Sequence, residues 1–197
     1  MLFQFSSAKE VENQLLSIRD ILADANNDWE KRAEAVSKKV VGTKWIAVEL
    51  DRFSSQLKRI RSVMAGGADQ YDEFFRCIRL LDLPLVTTVK DLRSQIVREA
   101  CITLAFMSVR MANRFERTAE GVIPTMLGLI QNSAKVISTS GTVALNYIFS
   151  NTQSSKFVPL ILAGVESKSR EIRRCVRTSP VLVAISSIYV DKPTSFW

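Results

Sequence analysis

Cys77, Cys101 and Cys175 are the chain's three thiols, and no histidine accompanies them. That removes the usual general base, the usual pH switch and the commonest metal ligand. The cysteines make no metal-binding spacing. Cys77 and Cys101 fall within helical apolar patterns and read as reduced core residues of a cytosolic protein. No Gly-rich phosphate loop or nucleophile elbow is present. The sequence therefore reads as a non-enzyme that needs no cofactor and no metal, and the chemistry left to it is recognition. A net charge of +7 suits an acidic partner, whether nucleic acid, anionic lipid or protein. A basic face that is simply solvated fits the same charge.

The elements that would position a recognition surface are helices. The chain has 197 residues with 47% apolar composition, enough for one or two domains. Seven glycines and five prolines fit helices and disfavour an all-β reading. No apolar run reaches the length of a membrane span. The start, MLFQFSSAKE, lacks the features of a secretory signal.

The stretch 90–108, KDLRSQIVREACITLAFMS, organises the rest. Ile96, Val97, Ala100, Cys101, Leu104 and Met107 form one helical face, and Asp91 stands where an N-cap belongs. Polar turns near Asn132 and Ser167 open two further helices of the same design. In register, Val97 matches Ile137 and Ile172, and Pro124 and Pro159 are also in step. Helix pairs at this period predict an all-α fold, an α-solenoid of HEAT-repeat pairs.

In chain order, a Ser7/Glu10 capping box opens a first helix through Val11, Leu15, Ile18 and Leu22, ending about Ala23. A DANND loop follows, and Asp28 caps a second helix with Trp29 at the mouth of the turn. That ring is either folded back on the helices or presented to a partner. Residues 36–56, with Gly42 and Trp45, read as an insertion: without them Ala35 and Leu57, Ile60, Val63 and Met64 make one unbroken stripe. A retained intron or a variant exon would produce this. AGGA at 65–68 ends the first pair. Tyr71, Phe74, Phe75, Ile78 and Leu81 line a helix that stops before Pro84, and LPLVTTVK turns into the central helix. After the link MANRFERTAE, the expected buried stripes are Val122, Ile123, Met126, Leu127 and Ile130, then Val136, Ile137, Ser140, Ala144, Tyr147 and Ile148. The fourth pair starts with Phe157, Val158, Ile161 and Leu162. After Cys175 the helical pattern fails, so residues 176–197 read as a divergent, poorly ordered tail beyond a domain spanning 5–175.

DWEKRAEA, LKRIRSVMAGG, QYDEFF, KDLRSQIVREACITLAFMS, NRFERTAEGVIPTMLGLI, QNSAKVISTSG and SKSREIRR resemble the TOG domains of CLASP proteins, most of all the second TOG domain. The resemblance implies a flat paddle of HEAT repeats whose narrow edge, made of the turns within each pair, contacts tubulin. It implies a cytoplasmic, microtubule-associated monomer, with no nucleic acid bound and no insertion into membrane. Its expected places are microtubule plus ends, spindle and kinetochore, where it suppresses catastrophe and promotes rescue. Carried over turn by turn, the tubulin-binding residues are Trp29 and Arg32, then Lys90, Asp91, Arg93 and Ser94, then Asn132, Ser133, Ala134 and Lys135, then Ser167, Lys168, Ser169 and Arg170. The resemblance favours a presented Trp29. Six repeats are usual in the family and four are read here. The motif for end-binding proteins is absent, with Gly121 in its first place. A HEAT scaffold for another acidic protein, its tubulin edge disabled, is the competing reading. A nucleic-acid binder is disfavoured by scattered basic residues and the lack of a stacking row.

Overall fold

The computed structural model describes residues 5–36 and 43–179, with the side chains of all but 24–50. The described residues contain helices and no strand. The helices are α1 (Ala8–Val36), α2 (Thr43–Ala65), α3 (Asp72–Ile78), α4 (Asp82–Val89), α5 (Ser94–Met111), α6 (Glu116–Ile130), α7 (Lys135–Asn151), α8 (Phe157–Val165) and α9 (Arg170–Arg177). One layer runs α1, α3 with α4, α6 and α8. The second runs α2, α5 and α7, and α9 completes the last pair against α8. The described residues form a HEAT-type α-solenoid of four helix pairs.

Amphipathic stripes explain the layers. Val11, Leu15, Ile18 and Leu22 of α1 are buried, as are Leu57, Ile60, Val63 and Met64 of α2 and the whole expected face of α5. Polar ties pin the helices between repeats. The Arg61 guanidinium of α2 donates to Thr103 Oγ1 at 2.7 Å and to Glu99 Oε2 at 2.8 Å, both on α5. Thr118 of α6 donates to Asp82 of α4 at 2.6 Å. Burial pushes the Asp82 carboxyl up, and the Thr118 hydrogen bond pulls it back.

Several boundaries differ from the sequence reading. α1 does not stop near Ala23: DANND is helical and Asp28 lies inside α1 rather than at the start of a helix, because no glycine or proline stands between Ala8 and Val36. Asn and Asp cost a helix only some tenths of a kcal/mol each, about 0.7 at most. Ser7 still opens α1, with its Oγ accepting the Glu10 N–H at 3.4 Å, but Glu10 returns its carboxylate to Ser6. The helix carrying Leu57 begins at Thr43, and Phe53 and Ser54, ahead of it, are buried. The run expected as a turn at Pro84 is the helix α4. Proline is tolerated there because the first turn of a helix has no N–H bond to lose. Val136 and Tyr147 are 54% and 49% exposed, so α7 buries Gly141, Leu145 and Phe149 instead. Leu162 is also exposed. α9 runs to Arg177 and buries Val176, so the helical pattern does not fail after Cys175 as expected; of the tail expected over 176–197, residues 180–197 lie outside the described residues.

Candidate functional site

Among the described residues, three turns join the two helices of a pair: α4 to α5, α6 to α7 and α8 to α9. They share one backbone device. The helix ends at Lys90, Gln131 and Glu166, with φ/ψ of −86/1, −88/5 and −85/−3. The next residue then accepts the N–H two positions on through its side chain. Asp91 Oδ1 takes the Arg93 N–H at 2.8 Å, Asn132 Oδ1 takes that of Ala134 at 2.9 Å, and Ser167 Oγ takes that of Ser169 at 3.2 Å. These short polar side chains close local rings that a helix interior would not allow. Arg93, Ala134 and Ser169 are extended and cap the following helix, with φ/ψ of −88/110, −73/108 and −74/123.

This fixes the true register at 41 and then 35 residues (93 to 134, then 134 to 169). Ile96, rather than Val97, therefore matches Ile137 and Ile172. Asp91 is also not the N-cap. It lies two residues ahead of it, and α5 begins at Ser94.

Successive pairs stack, so these turns lie along one edge. Lys90, Ser94, all of Asn132 to Lys135, Lys168 and Arg170 are exposed there. Asp91, Arg93, Ser167 and Ser169 are partly buried and build the turns. The Arg93 fork meets Asp91 at 2.9 and 2.7 Å, and its guanidinium lies 5.1 Å from the centre of the Phe53 ring. In the last turn Arg173 donates to the carbonyls of Ser167 and Lys168 at 2.6 and 2.8 Å. Neither Phe53 nor Arg173 stood out in the sequence. A basic residue just past a polar turn was the only signal for Arg173, and Phe53 lay inside the stretch read as an insertion.

Trp29 and Arg32 are not at a turn. Both belong to α1, about 10 and 6 Å of helix rise before Val36. Their side chains, and residues 37–42 that join α1 to α2, lie outside the described residues.

The other reactive groups are inert by position. Burial pushes the Cys101 thiol up to about 12, and burial also raises Cys77 and Cys175. Among the described residues no three potential metal ligands come together. No described helix is long and apolar enough to cross a membrane.

A stack of helix pairs that aligns its turns on one edge is a HEAT-type α-solenoid. The family described as CLASP N terminal matches residues 48–178. This chain belongs to that family. It is 40% identical over 171 residues to CLIP-associating protein 1-A of Xenopus laevis, covering 87% of this chain and 10% of that protein. It is 32% identical over 169 residues to the CLIP-associating protein of Drosophila melanogaster, covering 84% and 10%. Protein CLASP-1 of Caenorhabditis elegans is 29% identical over 170 residues, covering 85% and 11%. The chain thus spans about a tenth of the length of these relatives.

Proposed function

We propose that this chain is a non-enzymatic, tubulin-binding TOG module, most like the second TOG domain of CLASP proteins, and that it acts as a monomer on microtubules. The observation that carries this reading is the repeated turn. Three loops of one backbone geometry present Lys90, Lys135, Lys168 and Arg170 along a single edge, a display suited to an acidic protein surface. Lys90, Asp91, Arg93 and Ser94, Asn132 to Lys135, and Ser167 to Arg170 form the contact edge, in which Arg93 positions the loop. Trp29 and Arg32 extend it from α1, with Trp29 as an aromatic anchor. In the cell the module would stabilise microtubules in the cytoplasm, suppress catastrophe and promote rescue at plus ends, and serve at spindle and kinetochore. On the same reading, residues 36–56 are an insertion in the first repeat and 176–197 a divergent tail. Transcripts that all encode 36–56 would make the insertion a genuine part of the protein and overturn its origin as a retained intron or variant exon.

A second reading rests on α1. Because its helix runs through 24–28, Trp29 is not carried on the expected turn. A HEAT scaffold with a disabled tubulin edge, binding another acidic protein, accommodates that. Competition decides between the readings. The module should bind free tubulin or microtubules, duplex DNA should fail to displace it, and Trp29→Glu should weaken binding by at least ~2 kcal/mol with its melting temperature held. Displacement by DNA, or tubulin binding indifferent to Trp29→Glu, would contradict the TOG assignment.

A further inference from the structure

On the edge opposite the turns, three arginines from separate segments converge on one concavity. Arg79 follows α3, Arg114 lies in the connection 112–115, and Arg117 is in the first turn of α6. Together with Phe75, Thr118 and Asp72 they line a pocket of about 290 Å³. The Arg114 guanidinium lies 4.2 Å from the centre of the Phe75 ring, so its plane is held by the aromatic wall.

The backbone around Arg114 is fixed on both sides. Asn113 Oδ1 accepts the Gln153 N–H at 2.9 Å, and Phe115 is fully buried. Ala112, at the start of this turn, has φ +47 and ψ −126, a conformation that L residues rarely adopt. Arg79 makes no hydrogen bond and no ion pair among the described residues. Arg117 reaches Asp82 only at 4.0 Å and is 74% exposed. Three guanidinium groups thus share the pocket with one lining carboxylate, Asp72, and with Asp82 beside it, whose charge acts on Arg117 and Arg79, so positive charge stays in excess.

We propose that this pocket binds a phosphate monoester carried on a polypeptide, a phosphorylated serine or threonine side chain. A phosphate dianion offers three strong acceptor oxygens, and guanidinium forks match them in pairs. The surroundings select a single protruding group rather than an anionic plane. Glu73 follows on α3, and Glu116 and Glu120 on α6, so a flat anionic bilayer would meet repulsion around the pocket. Glu116 and Glu120 already hold Lys156, at 2.9 and 3.7 Å, so that cation is paired with carboxylates. The site is independent of the turn edge, because α5 separates the two by roughly 27 Å of helix rise.

The test is calorimetry on the full chain with the capped peptide Ala-Ala-phosphoSer-Ala-Ala, its unphosphorylated form, and vesicles containing a phosphorylated phosphatidylinositol. The phosphopeptide should bind with Kd of about 1 mM or tighter, and the plain peptide should not. Arg117→Gln and Arg114→Gln should each weaken binding about tenfold or more. Arg174→Gln on α9, which lowers net charge equally, should change it less than about twofold. Arg117 is exposed, so its variant keeps the fold if Arg114→Gln proves unstable. An equal loss in Arg174→Gln, or none in Arg117→Gln, would overturn the pocket in favour of diffuse attraction. Vesicle binding without peptide binding would overturn it in favour of a lipid surface.

Discussion

The α4–α5 and α6–α7 turns, which belong to the second and third helix pairs, have the same backbone and opposite uses of their side chains. In the second, Asp91 and Arg93 are only 16% and 17% exposed, and Arg93 leans on Phe53 of α2, so the turn is braced to its neighbour. In the third, the residue equivalent to Arg93 is Ala134, and Asn132, Ser133 and Lys135 all face solvent. A turn geometry can therefore be kept while its polar groups are spent on stability in one repeat and left for a partner in the next. The same residue type at the same register position need not play the same part.

The comparison can be broken at the core beneath the turns, where the largest effect is expected. Ile96 is fully buried, and Asp in its place should cost at least about 4 kcal/mol and abolish the melting transition, because an unpaired charge would enter the central helix. The equivalent Ile137 is 7% exposed, and Ile137→Asp should cost less, about 2 to 3 kcal/mol, with a transition still visible by circular dichroism. Equal losses would mean that the two positions are equally enclosed.

Within the turns themselves, Asp91→Ala strips a partly buried guanidinium of its carboxylate and should cost about 2 kcal/mol in a denaturant melt. Asn132→Ala removes one local bond in the open and should cost about 0.5 to 1 kcal/mol. A reversed order would remove the distinction between braced and open turns. Lys135→Glu should leave stability within about 0.5 kcal/mol, and its effect belongs to binding. The smallest signal comes from the thiols. With its pKa pushed up to about 12, Cys101 should be thiolate in only about one part in ten thousand at pH 8. It should escape alkylation until the chain unfolds, and prompt labelling of the folded chain would contradict its burial.

Much of this was legible in the sequence, because stripes of large apolar residues report burial directly. The faces of α1 and α5 follow from Val11 to Leu22 and from Ile96 to Met107, and all of those stripe residues are buried. The face of α7 was misread because its contact is made by a residue without a side chain. A Cβ on Gly141 would stand 2.9 Å from that of Leu129, a close approach that hydrophobicity does not record. The run 24–28 looked like a loop because Asp and Asn favour turns, yet nothing there forbids a helix. The polar triplets opening α5, α7 and α9 were found from their residue types. The braced role of Arg93 was not, since it depends on Phe53, forty residues earlier and on another helix.

The most direct test of the tubulin-facing edge is to reverse charge on the two edges in parallel and measure sedimentation with microtubules. One variant carries Lys90→Glu, Lys135→Glu and Lys168→Glu on the turn edge, and the other carries Arg79→Glu, Arg114→Glu and Arg117→Glu on the opposite edge. The account predicts that the first loses binding about tenfold or more while the second keeps it within about twofold, both with the parent's helical spectrum. Equal losses from the two edges would mean that net charge alone holds the chain to its partner, and the edge assignment would fall.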